Sequence, residues 1–111
     1  MTDDFYCDEV FSGKTTVQKV WETEQVLAYH HTRPFYEVHI VVNPKRHVLS
    51  LLTLEESDTT LLLELLDVVK KVAANMVAEH GARRVMTNLG MYQDSKHLHW
   101  HVIYGQQIRD S

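Results

Sequence analysis

Apolar residues along this chain fall into two spacings, and the change from one to the other outlines a fold. Leu62, Leu65, Leu66, Val69, Val72, Ala73 and Met76 recur at steps of three and four, which gathers them on one stripe of an α-helix of about five turns. Gly81 is a natural stop for that helix, and Thr53 with Glu56 reads as a capping box opening a turn before it. Elsewhere the pattern is shorter and β-branched. "VQKVWET" (17–23) and "QVLAYHH" (25–31) read as two strands around a turn at Thr23-Glu24. "EVHIVVNP" (37–44) reads as a central strand ended by Pro44, which has no amide proton for a ladder. Pro34 interrupts pairing, so 32–36 is expected to be a loop. "RRVMTNL" (83–89) and residues 97–104 predict two more strands separated by a loop, and 5–11 a short helical turn ended by Gly13. The order β-β-β-α-β-β predicts an α+β domain over 1–111, about five antiparallel strands packed on one long helix.

Composition narrows the function classes. The 111 residues suit a single domain, with 44% hydrophobic and 23% charged residues in an ordinary globular balance. A net charge of −4 argues against a nucleic-acid partner, which needs clustered Lys and Arg, but leaves room for a small anionic ligand. Cys7 is the only cysteine, so no internal disulfide forms and a reducing compartment is expected. "MTDDFYCDEVF" lacks the basic-then-apolar pattern of a leader. The apolar run around 61–77 carries Glu64, Asp67, Lys70 and Lys71, which no membrane span would hold. These readings together predict a cytoplasmic protein with no membrane partner.

Eight histidines are many for this length. In "HLHWHVIYG", His97, His99 and His101 alternate with Leu98, Trp100 and Val102. Strand alternation puts the three imidazoles on one face and the apolar residues on the other, against the helix. Asn, Ser or Thr would serve a merely solvated face better. Two histidines at i and i+2 can chelate zinc, but three on one straight strand cannot meet a single ion. A row of imidazoles suits an extended anion, because a neutral ring can act as nucleophile, acid or base near pH 7.

"HLHWHVI" resembles the signature of the histidine triad (HIT) family, in which His alternates with apolar residues, and in particular its Hint-like branch. "VHIVVNPKRH" (38–47) resembles the family's earlier strand with its Pro-Lys-x-His turn. "VLAYHH" (26–31) resembles the ribose-side strand, and "MTNLG" followed by "QDSKHLHWH" the Asn-containing strand and phosphate loop. The resemblance implies a HIT-like fold and a nucleotide hydrolase. Such an enzyme cleaves at the α-phosphate of a nucleoside phosphoramidate or dinucleoside polyphosphate through a covalent nucleotidyl-histidine, with no cofactor needed for catalysis. His99 matches the nucleophile, His101 and His39 match phosphate-side residues, and His97 a supporting one. Asn88 and Gln93 match sugar or phosphate contacts, though each amide reads equally well as a cap. Tyr29, with Val26 and Leu27, lines a base pocket or belongs to the core.

Three departures qualify the resemblance. His31 stands where many relatives carry an Asp for the ribose hydroxyls. Tyr92-Gln93-Asp94 stands where Gly-Gln-Ser is common, so Asp94 replaces a hydroxyl that assists the leaving group. Asp4-x-x-Cys7 stands where some relatives carry Cys-x-x-Cys; with His47 and His97 it offers either a tetrahedral structural zinc site or, alternatively, a surface charge and a small buried thiol. The resemblance also implies a homodimer, for which Leu61, Leu65 and Val68 are candidate interface positions. His31 and Asp94 favour a second reading, a nucleotide-binding regulatory or scaffold protein with little turnover.

Overall fold

The computed structural model describes residues 16–81, 83–89 and 97–108. Among these residues five strands run β1 (Lys19–Glu22), β2 (Val26–His30), β3 (Tyr36–Pro44), β4 (Arg84–Met86) and β5 (Trp100–Gln107), with one long helix, α1 (Thr59–His80), between β3 and β4. They pair antiparallel throughout in the order β1-β2-β3-β5-β4. The expected β-β-β-α-β-β order and the α+β class are what the structure has.

Alternation divides the sheet into two chemically different faces. Val26, Ala28, Ile40, Val42 and Val102 point towards α1 and are buried with Leu61, Leu65, Val68, Val69, Val72, Ala73 and Met76 of the helix. Leu98 joins that core, and Trp100 packs half-buried against it. The other face carries Leu27, Tyr29, Val41, Asn43, His39, His101 and Ile103, as the register of β2, β3 and β5 requires. A strand buried on both sides explains why "EVHIVVNP" reads as nearly continuous β-branched sequence.

The helix differs from its predicted stripe by about one position. Leu61, Leu65 and Val68 are 8%, 1% and 0% exposed, so the three candidate interface residues belong to the core. Leu66 is 40% exposed and Leu63 64% exposed. The cause lies in "LLLELL" (61–66), which offers leucines on every side of the first turns, so spacing alone cannot choose the inward face. The turn before the helix also differs. Ser50, not Thr53, is the cap: its hydroxyl accepts the Leu52 N–H, and the Thr53 hydroxyl accepts the Ser50 N–H. Glu55 and Asp58 form a second box directly before α1.

Two further contacts fix the outline. Glu64 reaches from α1 to the β1–β2 turn, where its carboxylate accepts the Thr23 hydroxyl at 2.6 Å and the Gln25 N–H at 3.0 Å. Gly81 ends α1 in the left-handed region (φ 82°), its N–H donating to the Val77 carbonyl. Gly105 also has positive φ (89°), and a Cβ there would overlap the Glu37 side chain. Gly81 has nothing within 4 Å of that position. Gly81→Ala should therefore cost only the backbone term, about 1 kcal/mol, and Gly105→Ala should cost more, because Glu37 must also move. Urea unfolding of the two variants checks the order.

Candidate active site

The imidazole row is assembled by register and by main-chain hydrogen bonds. Val41 faces His101 across β3 and β5, and Ile103 faces His39, so the two histidines lie diagonally on the open face. Their rings meet edge to edge, His39 Nε2 standing 2.8 Å from His101 Nδ1. His99 precedes the first paired residue of β5; its ring lies 4.9 Å from that of His101 and perpendicular to it. His31, just past the end of β2, covers His39 with ring centres 4.4 Å apart and stands 6.3 Å from His101. Phe35 and Tyr36 close the side of His39 at 5.9 and 5.7 Å.

These partners fix the tautomers. The Phe35 N–H donates to His39 Nδ1 at 3.0 Å, so the ring proton of neutral His39 sits on Nε2 and is donated to His101 Nδ1. The proton of His101 is thereby placed on its own Nε2. His99 is oriented in the opposite sense. Its Nδ1 lies 2.7 Å from the His97 carbonyl, which can only accept, so Nδ1 carries the proton and Nε2 the lone pair. One ring of the row is set up to attack and its neighbour to donate. The His99 carbonyl in turn accepts the Thr87 hydroxyl at 2.7 Å, tying the segment to the chain leaving β4.

Burial keeps His39 and His101 uncharged. His39, His99 and His101 are 4%, 5% and 7% exposed. Desolvation, with the fields of His31 and His99, holds His39 down at about 3. Desolvation does the same for His101, also about 3, helped by His99, His39 and His31. A neutral His101 still donates from Nε2, and it does not attract anions as a fixed charge would.

The structure divides the expected triad. His97 is fully buried and its ring stands apart from the row, with Nε2 donating to the Pro44 carbonyl at 2.7 Å. Its neighbour is His47, perpendicular at 5.3 Å. With Nε2 committed to Pro44, His97 Nδ1 is the atom that would bind a metal, and the distance to His47 suits two imidazoles on one ion. The other two donors of the expected zinc set, Asp4 and Cys7, lie outside the described residues, as do Gln93 and Asp94. Among the described residues no three His, Cys, Asp or Glu side chains converge as a metal site. Asn88 lies half-buried just beyond β4. Tyr29 is buried on the imidazole face, packed with Leu27, Val41 and Val17, while Val26 points the other way into the helix core. Sequence spacing did not single out Thr87, Phe35 or the Pro44 carbonyl, because their contributions pass through main-chain atoms or a single hydroxyl.

Comparison with known proteins agrees with this arrangement. The HIT domain description matches residues 12–108. An uncharacterized HIT-like protein of Chlamydia trachomatis is 30% identical over 99 residues, covering 88% of this chain and 89% of its own. A histidine triad protein from Clostridium difficile is 28% identical with a TM-score of 0.79, over 100% of this chain and 97% of its own. A HIT family hydrolase from Legionella pneumophila is 25% identical with a TM-score of 0.80, over 96% of both chains.

The depressed histidines make stability depend on pH with a definite sign. Unfolded imidazoles take up protons below about 6.5, whereas folded His39 and His101 stay neutral until about 3. Their contribution is complete above pH 6.5 and is lost as pH falls towards 3. Between pH 7.5 and 5 the urea midpoint should fall, each histidine contributing on the order of 2 kcal/mol. His39→Gln should flatten that slope markedly; a slope equal to the parent's would place the acid sensitivity elsewhere.

Proposed function

The chain belongs to the HIT domain family, and from that premise we propose that it is a nucleotide hydrolase that cleaves at the α-phosphorus through a covalent nucleotidyl-histidine on His99. The observation that carries the reading is the opposed tautomers of neighbouring rings: a lone pair on His99 Nε2 beside an N–H on His101 Nε2. The likeness to the HIT family hydrolase of Legionella pneumophila supports the reaction class.

The geometry suits each step. His99 Nε2 attacks phosphorus, a P–N bond forms, and the bond to the leaving group breaks with its electron pair. As the ring becomes cationic, the His97 carbonyl that accepts the Nδ1 proton stabilises it. The Nε2–H of His101 donates to a phosphoryl oxygen on which charge builds, and the Phe35–His39 chain holds that proton outward. Water then attacks phosphorus, the P–N bond breaks, and a nucleoside monophosphate leaves.

Two further features belong to the proposal. A structural zinc would be held by Asp4, Cys7, His47 and His97, where it would pin the N-terminal segment to the end of β3. A homodimer would cover the apolar positions that α1 leaves outward, Leu63 and Leu66. The second reading, binding without turnover, draws on the imidazole of His31 over His39, at the position where the family resemblance implies a carboxylate.

Incubation with an adenosine phosphoramidate and with a diadenosine polyphosphate should give adenosine monophosphate. His99→Asn should lower kcat by at least about 10³, and His101→Gln by about 10². Acid quenching should trap labelled nucleotide on the parent and none on His99→Asn. Product formation unchanged in His99→Asn would remove the nucleophile; tight nucleotide binding with no product would favour the second reading. Zinc near one equivalent per chain, purified without an affinity resin, supports the metal site, and a trace amount removes it. Sedimentation at micromolar concentration should give twice the 13.0 kDa chain mass.

A further inference from the structure

The open face of the sheet does not end at the imidazole row. Beyond His39 and His101 it continues into a shallow groove of about 210 Å³ lined by Tyr36, Arg83, Arg84, Ile103, Tyr104 and Gly105. The register joins the two directly. Ile103, on the groove floor, is the cross-strand partner of His39 on one side and of Arg84 on the other, and Met86 takes the same place beside His101. Arg84 therefore shares the face of His101, two residues further along, roughly 7 Å by strand rise. The Tyr36 ring, 5.7 Å from that of His39, stands where the row gives way to the groove.

Several cations elsewhere are held in ion pairs. Lys19 and Lys45 are paired with Glu22, Arg46 with Asp58, and Lys71 with Asp67. Arg83 and Arg84 are exposed and form no ion pair with a described residue. The nearby carboxylate, Glu37, is bound to the Gln106 N–H at 3.1 Å. His39 and His101 are held neutral, and the groove places the guanidinium of Arg84 on their face. A guanidinium presents a fork of donors that fits phosphate oxygens.

We propose that the Arg83–Arg84 groove is a second anion subsite, which receives the phosphate next to the one attacked by His99 and so favours substrates whose leaving group is itself a phosphate. This rests on the reading of the row as the site of the α-phosphate, and of the two substrate classes offered there, phosphoramidates and phosphoanhydrides, it selects the second. Such a leaving group departs as a phosphate anion, and the guanidinium of Arg84 offsets the charge it gains.

Calorimetric binding of adenosine monophosphate and of α,β-methylene adenosine diphosphate, whose bridge cannot be cleaved, separates the two ideas. The parent should bind the diphosphate analogue about tenfold more tightly than the monophosphate, the size expected of one charge-assisted contact at an exposed site. Arg84→Met should abolish that gain, with monophosphate binding as the reference. Lys70→Met, an equal loss of charge on the exposed side of α1, should keep it. Monophosphate binding with no gain from the second phosphate, or a gain that survives in Arg84→Met, overturns the subsite alone. A gain lost equally in Lys70→Met reduces it to general charge and also overturns it. Failure of both ligands to bind the parent overturns the nucleotide reading, and the subsite with it.

Discussion

Two main-chain groups govern the chemistry of this fold. The amide of Phe35 and the carbonyl of His97 each meet a histidine Nδ1, one as donor and one as acceptor, and from those contacts the proton positions of three rings follow. Neither group is a side chain that selection could exchange by a single codon. Each depends on the path of the chain: the loop between β2 and β3 must present its amide to His39, and the segment before β5 must bend so that His97 offers its carbonyl to the second ring on. The remaining architecture serves to hold those two paths still.

The sheet does this through strict alternation. Every residue that packs on α1 is interleaved with one that faces the imidazole row, so the core and the site are read from the same strands with opposite parity. A slip of one residue in β3 or β5 would bury histidine against leucine and expose valine to the site. The core therefore guards the register of the site without touching it. The segment holding His97 is fixed separately, by its ring on the Pro44 carbonyl and by the Leu98 N–H on Val48.

Much of this was legible in the residues. The alternation of His99 and His101 with Trp100 and Val102 announced the two faces, and the β-branched run at 37–44 announced a strand buried on both. The order of elements followed from where the spacing changed. What remained hidden had physical reasons. The leucine cluster at 61–66 leaves the helix azimuth undetermined, which is why Leu61, Leu65 and Val68 prove to be core. The cap at Ser50 competes with equally plausible hydroxyls three residues away. The separation of His97 from the row depends on β5 starting at Trp100, a boundary that periodicity cannot fix. Tautomers are invisible to spacing altogether, because the groups that set them are common to every residue type.

The carboxylate of Glu64 links two parts of the chain about forty residues apart, the outer hairpin and the second turn of the helix. Strand β1 lies at a margin of the sheet, where fraying would ordinarily begin. Because its turn is latched to α1, that margin cannot peel away without disturbing the element that covers the whole core. The hairpin and helix thus share one cooperative fate, and slow loosening of the molecule is directed to the opposite margin, the three-residue strand β4 that begins at Arg84.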